Sequence, residues 1–249
     1  MEKNLLNNYI FDHIESLEQN LSTYRKDKNP EFLHRLRVDF KKIKAIFSFA
    51  EKIYIEKYDI IKLKPLFLKA GKIREMQLNI HLLSAVSHPP ERLIARLKKK
   101  ENILIQQFIQ NGSRNIILIN EFREKTCIPE KLRSKKIILK YFKKEKKKAK
   151  KILRHKDREG MHVYRKKIKK MMYIYNALPK GIQKKIELNE TKINKLQEQL
   201  GDWHDTYSAI NFFSHAHFPM PISAYILKLK EKEKRQFNTL LINLTDKGK

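Results

Sequence analysis

Cysteine is all but missing from this chain: Cys127 stands alone among 249 residues. That excludes an internal disulfide framework and a cysteine zinc site, and it fits a reducing compartment. Glycine (6) and proline (8) are scarce, too few for the many turns of an all-β sandwich. Acids are short as well: 27 Asp and Glu face 56 Lys and Arg, a net charge of +29. No run is long and apolar enough to span a bilayer. The best candidate, 103–120, is broken by Gln106, Gln107, Gln110, Asn111 and Arg114. The first twenty residues carry acids where a secretory leader would carry an apolar run. These absences predict a helical, soluble, cytoplasmic protein that does not insert into membranes.

What is present is a 41% hydrophobic content, enough for the core of one large domain or two small ones. A charge excess this large opposes compaction by self-repulsion, so a polyanionic partner is the first expectation. Pro30, Pro65, Pro89-Pro90, Gly112, Pro129, Gly160, Pro179-Lys180-Gly181, Gly201 and Pro219-Met220-Pro221 divide the chain into about ten segments, most long enough for a helix. Inside them the period is helical. Leu36, Phe40, Ile43 and Phe47 recur at i, i+4, i+7 and i+11, as do Tyr164, Ile168, Met171 and Tyr175. Convincing two-residue alternation is absent. The expectation is an all-α chain of antiparallel helices with short connections.

The sequence repeats itself. His34, Arg37, Lys41 and Lys42 recur as His162, Arg165, Lys169 and Lys170, and 162 less 34 is 128. Gly71 and Glu75 likewise match Gly201 and Asp205 at an offset of 130. Two motifs in order at nearly one offset predict tandem halves near 1–112 and 113–249, packed into one body.

At about 100° per residue, Arg37, Lys41 and Lys44 lie within roughly 80° of His34 around the helix. They form one stripe, with Lys42 at its edge and the apolar set on the other side. His162, Arg165, Lys166 and Lys169 repeat the stripe, again with Lys170 at the edge. Such groups recur every ~5 Å along a helix, which suits a flexible chain of closely spaced negative charges. Arg supplies a planar fork for two phosphate oxygens and Lys a mobile point charge. A His beside phosphates has its protonated form favoured. The segment 131–170 adds 20 basic residues against three acids, and 20 less 3 leaves +17. Ile137, Ile138, Tyr141, Phe142, Ala149, Ile152 and Leu153 run through it, which predicts a helix with one buried face. Lys140, Lys144, Lys147, Lys151 and Arg154 would form a ladder on one flank, and they are further candidates for binding the polyanion.

Four stretches resemble the motifs of the CHAD (conserved histidine α-helical domain) family. FLHRLRVDFKKIKAIF (32–47) and MHVYRKKIKKMMYIY (161–175) resemble its first motif and that motif's second copy. KAGKIRE (69–75) and QLGDWHD (199–205) resemble its glycine-centred motifs. All four occur in family order and organise nearly the whole of 1–249 as a single domain. The resemblance implies two pseudo-symmetric four-helix bundles forming one body with a basic central groove or pore. It also implies non-catalytic binding of inorganic polyphosphate, without a cofactor; phosphate or sulfate ions would fit the same site. Polyphosphate granules are one expected location, and regulation of polyphosphate metabolism one expected role. Carried over, the site comprises His34, Arg37, Lys41, Lys42 and Lys44 in the first motif and His162, Arg165, Lys169 and Lys170 in the second. Arg74 and Asp205 face either the ligand or a neighbouring helix. Two positions depart from the family pattern. Met172 replaces a usual basic residue, implying weaker binding there, and Glu75 replaces a usual Asp.

Other chemistry finds little support. Glu231-Lys232-Glu233-Lys234-Arg235 imitates the alternating acids of tunnel-type triphosphate hydrolases, but in a helical context i and i+2 diverge by about 200°. The expectation is a solvated face. His215-Ala216-His217 has no evident third metal ligand. P-loop, dinucleotide, HExxH and nucleophile-elbow motifs are absent. The competing reading is a basic helical nucleic-acid-binding protein, since a sequence pI near 10.0 is the expected footprint. Base stacking would require exposed aromatics, and the Tyr and Phe residues read mostly as core.

Overall fold

The computed structural model describes residues 5–86, 89–186, 188–215 and 223–245. Ten α-helices are seen among them: α1 (Leu5–Asp27), α2 (Pro30–Tyr54), α3 (Lys64–Ser84), α4 (Glu91–Gln110), α5 (Gly112–Lys125), α6 (Lys135–Ile152), α7 (Arg158–Asn176), α8 (Lys180–Ile186), α9 (Glu190–His215) and α10 (Ser223–Thr245). No strand occurs among the described residues, as the missing alternation leads one to expect. Two short 3-10 turns, Ile61–Leu63 and Leu153–His155, precede α3 and follow α6.

The chain forms two compact units, Met1–Tyr141 with Met172–Gln183, and Phe142–Met171 with Lys184–Lys249. In the first unit, α1 buries Leu6, Ile10, Ile14, Leu17, Leu21 and Tyr24, a stripe at helical spacing. It packs along α2, which buries Leu33, Leu36, Phe40, Ile43 and Phe47. Each fully buried aliphatic side chain contributes roughly 1.5–3 kcal/mol. α2 starts where the sequence allows it to start: the Asn29 side chain accepts a hydrogen bond from the Glu31 N–H and Pro30 opens the helix. Buried Asp39 is held by three side chains of α1, with His13 Nδ1 at 2.9 Å, Ser16 Oγ at 2.8 Å and Asn20 Nδ2 at 3.1 Å. Asn7 pins the segment after α5 by bonding both the C=O and the N–H of Ile128.

In the second unit, Ala149, Met161, Tyr164, Leu200, Trp203, Phe237 and Leu240 form a core drawn from α6, α7, α9 and α10. Glu145 of α6 is buried and accepts from Lys167 Nζ of α7 at 2.5 Å and Lys148 Nζ at 3.3 Å. Asp39 and Lys167 are themselves 128 residues apart. Each reaches from its motif helix to the preceding helix, with opposite charge.

Three sequence expectations need correction. Gly160, Gly181 and Gly201 do not end helices; α9 runs unbroken through Gly201, because packing overrides a local cost of about 1 kcal/mol. Ile137 is 41% exposed: it lies in the first turn of α6, off the face that carries Ile138, Tyr141 and Phe142. Glu233 is not on a solvated face. It is 3% exposed, and its carboxylate accepts from Arg158 Nε at 2.9 Å and Nη2 at 2.8 Å, and from Trp203 Nε1 at 2.7 Å. Glu231, by contrast, is exposed. His217, with the side chain of His215, lies outside the described residues. No helix of the described residues is long and apolar enough to cross a membrane.

Candidate polyanion-binding site

In the first unit the site is built on α2 and α3. Arg37 Nη1 donates to the Phe67 carbonyl at 2.7 Å, and the guanidinium lies 4.4 Å from the centroid of the Phe67 ring. That ring stacks on Phe40, also at 4.4 Å. Gly71, one turn beyond Phe67, is where α3 admits the guanidinium: a Cβ at this position would overlap its terminal nitrogen. Burial lowers the Arg37 pKa, the like charge of Arg74 lowers it further, and Glu75 opposes both. Arg74 Nε is buried with no hydrogen-bond partner. Lys41 and Lys42 are half-buried, while His34 and Lys44 are exposed. The structure therefore joins Arg37, Arg74 and Glu75 from the two motifs, and leaves His34 and Lys44 at the surface.

The second unit repeats the scheme on α7 and α9. The His162 and His204 rings stack at 4.7 Å with an interplanar angle of 14°, and His162 Nδ1 is buried without a hydrogen-bond partner. Burial, then the charges of His204, Lys166 and Arg165, push the His162 pKa from 6.5 down to about 4. Burial also lowers Lys169, as does Arg165, with Asp205 opposing. Burial pushes Asp205 up, but His204, whose Nδ1 is 3.6 Å from the carboxylate, together with Arg165 and Lys169, holds it below its ordinary value. Arg165, Lys169 and Lys170 are half-buried and Lys166 is exposed. Met172, the departure from the expected basic position, is buried and serves as an apolar packing residue.

The lysine ladder is also present on α6. Lys140, Lys144, Lys147 and Lys151 are exposed, and Arg154 is exposed in the 3-10 turn that follows. Other lysines of the same block are structural. Lys146 Nζ donates to the Ile186 carbonyl at 2.7 Å, and Lys148 and Lys167 serve Glu145.

Two participants escaped the sequence reading. Phe67 supports Arg37 and has no motif of its own. His204 faces His162, and its signal was in the repeat: 204 less 74 is 130, so it occupies the place of Arg74. Chemically, each cluster offers crowded positive charge, partly withdrawn from water and anchored by a neighbouring helix, with one acid beside it.

A family model described as the CHAD domain matches residues 8–214. A crystal structure of the CHAD domain from the plant Ricinus communis matches with a TM-score of 0.70, covering 97% of this chain and 90% of that one at 13% identity. At that identity the likeness shows the fold. No curated protein matches the chain.

Proposed function

The chain belongs to the CHAD domain family, and from that membership and its two cation clusters we propose that it binds inorganic polyphosphate and does not hydrolyse it. The observation that carries this reading is like charge held together away from water: Arg37 beside Arg74, and Arg165 beside Lys169. Each pairing depresses a cation's pKa, so an arriving polyanion relieves repulsion as well as gaining contacts. Closely spaced phosphates match groups one helical turn apart, with Arg as the fork and Lys as the point charge.

Polyphosphate suits these clusters better than nucleic acid. The aromatic ring at the first cluster is already engaged: the Arg37 guanidinium lies over Phe67 and the Phe40 ring stacks on it, which disfavours its use as a stacking platform for bases. Absence of turnover is supported by Glu233, whose carboxylate is committed to Arg158 and Trp203.

The test is a competition of labelled long-chain polyphosphate against single-stranded RNA, duplex DNA and heparin across a salt series. Polyphosphate should win at equal phosphate concentration, with affinity falling steeply as salt rises. Arg37→Ala with Lys41→Ala, and Arg165→Ala with Lys169→Ala, should each weaken binding by several kcal/mol, each lost charged hydrogen bond being worth about 1.5–3 kcal/mol. Lys228→Ala with Lys232→Ala should cost much less. Displacement by RNA, or equal losses from all three pairs, would sink the reading. Hydrolysis of polyphosphate or ATP with Mg²⁺ or Mn²⁺ that disappears in the Arg165 variant would make the protein an enzyme.

A further inference from the structure

In the second unit, the lysines of α6 sort into two kinds. Lys146 and Lys148 are engaged with the Ile186 carbonyl and Glu145. Lys143, Lys144, Lys147, Lys150 and Lys151 are all exposed. Counted around the helix from buried Glu145, these five fall between about 140° and 260°, opposite the face that carries Phe142, Glu145 and Ala149. They span about 12 Å of helix, and the only acid of α6 is Glu145 itself, on the far side.

This face is separate from the α7–α9 cluster. α7 turns one side to α6, where Lys167 meets Glu145 at 2.5 Å. His162 lies roughly 140° away around α7, and it stacks on His204 of α9. Lys143, Lys147 and Lys150 thus lie on the side of α6 turned from α7, Lys151 marks the edge of the ladder, in a shallow groove with Val163 and Lys167, and the cluster points away from α6.

Folding does not call for these lysines. The offset of 128 places Glu15, Ser16, Gln19, Ser22 and Thr23 of α1 at the same five positions, and none of them is basic. Four of those five, all but Ser16, line a shallow groove together with Arg123, which pairs with Glu18 at 2.7 Å. A helix in this place is therefore compatible with neutral and acidic residues. Like charges at i and i+4, such as Lys143 with Lys147 and Lys147 with Lys151, oppose helix formation.

We propose that the outward lysine face of α6 is a second polyphosphate-binding surface, so that one molecule holds two chain segments at once and cross-links polyphosphate. The inference rests on the polyphosphate reading of the α7–α9 cluster. Two surfaces directed apart on one unit make the protein multivalent toward a long chain, and linked binding events of this kind multiply avidity without new contacts.

The test uses the full chain and two variants: one with Lys143→Gln, Lys144→Gln, Lys147→Gln, Lys150→Gln and Lys151→Gln, the other with arginine at all five positions. Circular dichroism checks that both keep their helices. Calorimetry is run with polyphosphate too short to reach across two helix diameters, about 20 Å. The wild type and the arginine variant should take one chain more per molecule than the glutamine variant. The tightest step should change by less than about threefold, because only long-range charge is lost from that site. With long chains, wild type and arginine variant should scatter light strongly at substoichiometric protein, and the glutamine variant should not. Equal saturation of wild type and glutamine variant overturns the proposal and leaves the α7–α9 reading standing. Loss of the tightest step in the glutamine variant also overturns it, because the ladder then belongs to the cluster. Filling of the extra step by single-stranded RNA in preference to polyphosphate overturns it in favour of a nucleic-acid surface. No polyphosphate binding by the wild type overturns both readings.

Discussion

Arg37 and His162 show how single residues set the behaviour of the two clusters. Arg37 owes its place to the missing side chain at Gly71. Gly71→Ala should push the flexible guanidinium off Phe67 rather than distort the backbone. Melting should then shift little, because the gain in helix propensity, up to about 1 kcal/mol, offsets the lost contacts. Polyphosphate affinity should fall about tenfold or more, the worth of a charged hydrogen bond. At Gly201 an added Cβ meets nothing within 4 Å, so Gly201→Ala should stabilise the protein by up to about 1 kcal/mol and leave binding alone. A crystal structure of the Gly71 variant with Arg37 still on Phe67 would refute this account. His162 predicts a pH effect of definite sign. Its native pKa of about 4 lies below 6.5, so the unfolded chain takes a proton that the native cluster refuses. Stability without ligand should therefore fall as pH drops from about 6.5 toward 4. Bound anions offset the charges of Lys166 and Arg165, so the complex should take up a proton in that window. An NMR titration of the His162 ring checks the first part, and calorimetry in buffers of different ionisation enthalpy the second. Titration at or above 6.5 in the unliganded protein would overturn both.

Among the elements, α10 carries the least visible feature. Glu233→Gln removes one charge from a carboxylate shared by Arg158 and Trp203. The cost should be about 2–3 kcal/mol, kept moderate because Arg158 is partly solvated. Urea melts measure it, and polyphosphate affinity should be nearly unchanged. Lost binding at unchanged stability would instead give Glu233 a ligand role. This buried acid was illegible in the sequence because its partners lie 75 and 30 residues away, and no local pattern announces a tertiary contact. The stripe of α2 was legible because Leu36, Phe40, Ile43 and Phe47 obey the helical period and are all buried. Gly201 carries a local stop signal that α9 overrides, because the helix is held by packing on both sides of it. His204 was readable only by carrying the offset of 130 through to the cation at Arg74.

At the scale of the whole molecule, a net charge of +29 must act on stability and on binding in opposite directions. Salt screens repulsion between exposed like charges, so the melting temperature without ligand should rise between low and physiological salt. Affinity for polyphosphate should fall over the same range. Melts and titrations on one salt series measure both, and a melting temperature that falls with salt would refute self-repulsion as the dominant global term. The opposed charges of Asp39 and Lys167 bear on something else, the fidelity of assembly. A chain with two similar helix pairs risks pairing α6 with α2, or α1 with α7, while it folds. The first error would bring Glu145 against Asp39, two carboxylates in an interior. The second would leave Lys167 facing His13, Ser16 and Asn20 with no carboxylate to meet it. A buried charge without its partner costs about 3–5 kcal/mol, comparable to much of a domain's net stability. Each helix thus discriminates against the wrong neighbour by sign alone, and the two halves are kept from trading places.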